Sequence, residues 1–138
     1  MPASQDHVAL AKKNRSALEY LRLKIDDYPE WVVTVAFYEA LHHIEAAMAC
    51  DTSIQRTSGH KERHDAIRNH KEFKKIYAPY KNLFDASCIA RYMGNGTVSF
   101  SNYMKTGQIE TIVIGTWLHK IKIFTEAQIA KAQMANKP

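Results

Sequence analysis

Side chains able to do chemistry recur at helical spacing in three parts of this chain. Thr34, Tyr38, His42 and Glu45 stand four, four and three positions apart, which aligns them on one edge of a helix. Around them Trp31, Val32, Val33, Val35, Ala36, Phe37, Ala40, Leu41, Ile44, Ala47 and Met48 cover most of the circumference. Such a helix is expected to be buried by neighbours on several sides. An imidazole and a carboxylate held there need hydrogen bonds, an ion pair or a wet cleft.

The second group is His60, Arg63, His64 and His70. His60 and His64 lie one turn apart, a spacing that can chelate a metal. The metalloprotease pattern His-Glu-x-x-His, however, needs a Glu where Lys61 stands, and Lys61 and Arg63 oppose a cation. No metal site is expected. Arg63 and His70, with six residues between them, have another chemistry. Metal-free RNA cleavage needs a base or acid near neutral pH, which His supplies, and a fixed cation for the phosphorane, which Arg supplies.

The third group interleaves Tyr77, Tyr80 and Phe84 with Lys74, Lys75 and Lys81. In a single-strand binder these would stack bases and hold phosphates; in an ordinary helical domain the aromatics pack in the core. The chain has no glycine-rich phosphate loop and no Gly-x-Ser-x-Gly elbow. Cys50 and Cys88 lie in apolar surroundings and read as buried thiols, neither spaced for metal nor activated as nucleophiles. No cofactor is implied.

Charge sharpens the second and third groups. Between Gln55 and Arg91 nine Lys or Arg face four acids, a surplus that equals the whole formal charge of +5. A concentrated basic region suits phosphate or nucleic acid, although a solvated helix face gives the same count.

The elements that must position these groups are helices. The chain of 138 residues has only five Gly and four Pro, which fits one all-α domain over residues 1–138 with a sizeable core. A first helix is expected from about Gln5 to Ile25. The central helix starts at Pro29, with Glu30 in its first turn, and ends near Asp51. A short basic helix covers His60 to Asn69. Another follows Lys71, with Pro79 starting or kinking it. Met93 to Thr97 marks a loop, and Thr97 to Tyr103 alternates weakly enough to suggest a short extended piece. A last helix from about Met104 to Ala132 carries Ile109, Ile112, Val113, Trp117, Ile121 and Phe124 inward, and Gln133 to Pro138 should be disordered. The start lacks a basic segment followed by an apolar core, and no apolar run reaches membrane-spanning length. A cytoplasmic location without membrane contact is the expectation.

Three segments carry a family resemblance. Phe37-Tyr38-Glu39-Ala40-Leu41-His42-His43-Ile44-Glu45-Ala46, Ser58-Gly59-His60-Lys61-Glu62-Arg63 and Leu83-Phe84-Asp85-Ala86-Ser87-Cys88-Ile89-Ala90-Arg91-Tyr92 follow one another in that order. They resemble bacterial HEPN-type (higher eukaryotes and prokaryotes nucleotide-binding) helical domains. In those domains a Tyr-x-Ala-Leu-His helix precedes a Ser-x-His-x-x-Arg helix start and a Ser-x-x-Ala-Arg-Tyr helix end. The resemblance spans about Asp27 to Tyr92. It implies an antiparallel four- to five-helix bundle, commonly paired into a homodimer, in a superfamily linked to nucleotide binding and metal-independent RNA cleavage. Active members carry an Arg and a His a short interval apart, usually at a dimer cleft. The six residues between Arg63 and His70 sit at the upper limit of that interval. His64 stands where a polar residue often follows the family's Arg, and the pair lies earlier in the chain than in the ribonucleases. Many members act instead as binding or assembly modules.

Both lines of reasoning converge on one hollow lined by Tyr38, His42, Glu45, His60, Arg63, Arg91 and Tyr92. In one reading the arginines hold the phosphate of a nucleotide or RNA and the Tyr38 hydroxyl orients it, in a domain belonging to a defence or toxin–antitoxin system. In another, Arg63 and His70 form a metal-independent ribonuclease. In a third, Arg63 or Arg91 pairs with Glu45, His42 fixes a helix crossing, and the protein is a homodimeric assembly module.

Overall fold

The computed structural model describes residues 3–54, 59–92 and 100–135, and all regular structure within them is helical. Helix α1 (Ser4–Arg22) and helix α2 (Pro29–Met48) form a hairpin joined by turns, so that α2 starts with the buried Pro29 and has Glu30 in its first turn. Helix α3 (His60–Asn69) follows, then a 3-10 turn (Phe73–Ile76) that leads into α4 (Tyr77–Tyr92). Pro79 is accommodated in the first turn of α4, where its missing N–H has no helical acceptor to lose. A one-turn α5 (Phe100–Tyr103), a short α6 (Thr106–Gln108), a π-helical stretch (Ile109–Leu118) and α7 (His119–Ala135) complete the bundle.

Twelve of the 20 residues of α2 are buried, because α1, α4, α7 and the π-helical stretch all pack against it. Its side chains Val32, Val33, Ala36, Phe37, Ala40 and Ile44 meet Leu18, Ile67, Phe73, Tyr80, Leu83, Val113, Leu118 and Ile121 in one core. Arg22 at the end of α1 forks onto Glu110, with contacts of 2.6–3.2 Å, and ties the hairpin to the π-helical stretch. No helix among the described residues is long and apolar enough to cross a membrane.

Several expectations need correction. The first helix stops at Arg22, short of Ile25, and the second at Met48, short of Asp51. Phe100–Tyr103 forms a helical turn, with the Met104 N–H donating to the Phe100 carbonyl at 3.0 Å, so the part of the alternating segment from Phe100 to Tyr103 is helical rather than extended. Residues 97–99 and the Met93 to Thr97 loop lie outside the described residues. The last helix continues through Gln133 to Ala135, where disorder was expected, while residues 136–138 lie outside. Trp31, expected among the covering apolar residues, is 56% exposed. Cys50 and Cys88 are half-buried rather than buried: the Cys50 Sγ donates to Ser4 Oγ at 3.3 Å, and Cys88 Sγ accepts from Arg91 Nη2 at 3.5 Å.

The π-helical stretch explains a rotated core stripe. Six of its ten residues are β-branched, which weakens the preference for tight α turns. The Thr116 hydroxyl donates to the Thr111 carbonyl five residues back at 2.9 Å. A side chain at Gly115 would press on the Glu110 carbonyl at 3.1 Å, again five residues back. The wider turn buries Ile109, Val113, Ile114 and Leu118, and leaves Ile112 and Trp117 only half-buried.

Candidate functional site

Helix α2 presents its polar edge to α3 and α4. Thr34, at one end, is buried and its hydroxyl donates to the Glu30 carbonyl at 2.7 Å, so it completes the helix rather than reaching outward. One turn on, the Tyr38 hydroxyl accepts from Arg91 Nη1 at 3.4 Å. Two turns further, Glu45 Oε1 accepts from Arg63 Nε at 2.6 Å, the shortest contact of the cluster. Arg63 Nη1 also donates to His60 Nδ1 at 3.1 Å. A guanidinium can only donate, so this bond fixes His60 as a neutral imidazole with its proton on Nε2.

Arg91 differs from Arg63 in its partners. Its guanidinium donates to the Ser87 carbonyl at 3.2 Å, to Ser87 Oγ at 3.4 Å and to the Tyr38 hydroxyl, all neutral acceptors. No carboxylate lies within ion-pair distance of Arg91 among the described residues. Three aromatic faces cradle it instead: Phe37 at 5.7 Å, Tyr38 at 6.0 Å and Tyr92 at 5.5 Å from the ring centroids. The Ser and Arg of the Ser-x-x-Ala-Arg-Tyr segment thus touch one another, because positions four apart share a helix face.

The electrostatics agree with this assembly. Burial lowers the His60 pKa, and Arg63 and Arg91 lower it further, so both cations face one imidazole. His42 is lowered by burial first and then by His7, whose Nδ1 lies 3.1 Å from its own, while Glu45 pulls the other way and Arg63 adds to the depression. Tyr80, fully buried beside Arg63, is pushed by burial up to about 12 and stays protonated. Direct contacts thus join Glu45, Arg63 and His60 in one group and Tyr38 and Arg91 in another beside it, on three helices, while His42 turns to His7 of α1. Tyr92 stands at the rim, 75% exposed.

His70 has partners of its own. It caps the 3-10 turn: its Nδ1 accepts from the backbone N–H of Glu72 at 3.0 Å and of Phe73 at 3.3 Å, and its Nε2 donates to Asp51 Oδ2 at 3.0 Å. Ser53 and His70 hold Asp51 below the ordinary carboxylate range, the Ser53 hydroxyl most strongly. The aromatics of the third group serve the core: Tyr80 is fully buried, and Phe84 packs edge-on against His64 at 4.4 Å and against Phe37 at 5.6 Å. Among the described residues no three or more His, Cys, Asp or Glu side chains are grouped to hold a metal ion.

Sequence reasoning missed Glu39. It is fully buried and clasped by Arg15, Nε to Oε1 and Nη2 to Oε2 both at 2.8 Å, and it takes a third contact from His43 Nε2 at 2.9 Å. The only hint was the spacing of four between Glu39 and His43, which marks a second polar edge about 100° round the helix from Tyr38.

The depressed histidines set a pH dependence. A folded-state pKa below the ordinary 6.5 means that the unfolded chain binds protons first. Stability is then complete above 6.5 and is lost as pH falls through the lower folded values. The unfolding midpoint should drop as pH falls below about 6.5, and a His42→Gln, His64→Gln double variant should flatten that slope in thermal melts. An unchanged slope would show that these imidazoles titrate alike in both states.

No family model, no curated protein and no solved structure matches the chain, so the reading of this hollow rests on its own geometry.

Proposed function

We propose that this protein is a HEPN-like helical domain that binds the phosphate of a nucleotide or RNA in the hollow between α2, α3 and α4, in the setting of a defence or toxin–antitoxin system. The observation that carries the reading is Arg91, a guanidinium with neutral partners and aromatic walls, beside His60 and the Arg63–Glu45 pair. A cation already fixed by neutral acceptors keeps its charge available for an anion and loses little freedom on binding one. Arg63 is largely neutralised by Glu45, so its part is to position His60. Tyr92 at the rim offers an aromatic face to a base.

Two other readings use the same residues. The Arg63–Glu45 contact of 2.6 Å favours an architectural cluster, which is the part of the homodimeric assembly-module reading that it bears on. A ribonuclease using Arg63 and His70 is less favoured, because each is engaged elsewhere, Arg63 by Glu45 and His70 by Asp51 and two backbone N–H groups.

One experiment separates the three. Labelled RNA incubated with the protein, with and without EDTA, should be retained intact, with an affinity that weakens as salt rises. Arg91→Ala should weaken that affinity about tenfold or more, while Arg91→Lys recovers part of it. Chelator-resistant cleavage lost in His70→Ala would favour the ribonuclease. Absence of RNA and nucleotide affinity would leave the assembly module.

A further inference from the structure

A cavity lies on the other polar edge of α2, that of Glu39 and His43. It has a volume of about 280 Å³ and sits between α1, α2 and α7, roughly twice the size of an apolar cavity known to admit benzene. Val8, Ala11 and Ile129 give it apolar walls, and the Arg15–Glu39–His43 cluster gives it a polar side. Its polar groups are not equally available. Glu39 Oε2 accepts from Arg15 Nη2 and contacts His43 Nε2, Glu39 Oε1 lies 2.8 Å from Arg15 Nε as an ion-pair contact without hydrogen-bond geometry, and the Thr125 hydroxyl donates back to the carbonyls of Ile121 and Lys122. Lys12 and Lys122 have no carboxylate within ion-pair distance among the described residues, although the exposed Glu126 also lines the space.

We infer that this cavity binds a small monocarboxylate with an apolar body, its chain against Val8, Ala11 and Ile129 and its carboxylate between Lys12 and Lys122. Three cations, Lys12, Arg15 and Lys122, stand against Glu39 and Glu126. Since Arg15 and Glu39 cancel, the groups left to meet a ligand favour an anion. An apolar pocket with a few convergent polar groups is the usual form of a small-molecule site. The inference is independent of phosphate binding at Arg91, because it uses another face of α2.

The test is calorimetric titration of the full chain with octanoate, alongside octanol and octylammonium. Octanoate should bind, with octanol and octylammonium at least tenfold weaker. At about ten times its dissociation constant, octanoate should raise the unfolding midpoint by about 3–5 °C. A Lys12→Gln, Lys122→Gln double variant should keep the ligand-free midpoint, since Lys12 is exposed and Lys122 half-buried, and weaken octanoate about tenfold. No octanoate binding at millimolar concentration, equal binding of octylammonium, or unchanged affinity in the double variant would each overturn the proposal.

Discussion

Arg15→Ala is expected to lower the unfolding free energy by about 3 kcal/mol, more than Glu39→Leu does, although the two residues form one ion pair. The asymmetry follows from where each charge goes when its partner is lost. The Glu39 side chain is 0% exposed, so without Arg15 its carboxylate stays in the interior with only His43 beside it. Breaking a buried pair from that side leaves an uncompensated charge, at a cost of about 3–5 kcal/mol; the His43 contact and the adjoining cavity place this case at the lower end. Arg15 is 32% exposed and already reaches Glu19 at 3.3 Å, so without Glu39 it turns to water and its i,i+4 partner. Combining Arg15→Met with Glu39→Leu should recover much of the loss, because a buried pair replaced by apolar side chains of similar volume is often close to neutral. Denaturant melts of the parent, Arg15→Met, Glu39→Leu and the double variant give the cycle, with Arg15→Ala measured beside them. Equal costs for the two single substitutions would show that Glu39 finds solvent after all.

The difference between Glu39 and its neighbours shows how far the sequence could be read. Helix α2 was legible because Pro29 and Glu30 announce its start and its apolar residues leave a narrow polar edge. The short basic helix His60–Asn69 was legible at both ends. The polar edge of Tyr38, His42 and Glu45 followed from the need of buried polar groups for partners, whereas His60, Arg63 and Arg91 were joined to it through the family resemblance. Which cation takes Glu45 did not follow, since one turn of α3 or α4 either way decides between Arg63 and Arg91. Glu39 was passed over because its partner Arg15 lies on another helix, and no local pattern ties the two. The last helix failed in a third way. Its apolar residues fit a regular 3.6-residue period, but β-branched side chains from Ile109 to Ile114 widen the turn and carry Ile114 and Leu118 inward in place of Ile112 and Trp117. Periodicity reads a face only while the period holds.

Phe37→Ala should be the most damaging single substitution near the site, at about 4 kcal/mol. Phe37 is fully buried and lies within 6.2 Å, ring centroid to centroid, of Tyr38, His60, Tyr80 and Phe84. Truncation removes a large buried surface and opens a cavity that rings from three helices cannot close without leaving their rotamers. The same ring is one of the three faces beneath Arg91. Phe37→Leu separates the two roles: it keeps most of the volume, costs about 1 kcal/mol and removes only the aromatic face. If Phe37 also holds Arg91 for an anion, Phe37→Leu should weaken RNA retention while denaturant melts show a well-folded protein. If it acts through packing alone, Phe37→Leu binds as the parent does and only Phe37→Ala, which unfolds the hollow, loses both. Paired melts and filter-retention curves on the two variants distinguish these results, because stability and affinity then fall together or apart according to whether the guanidinium depends on the ring's electrons or on its bulk.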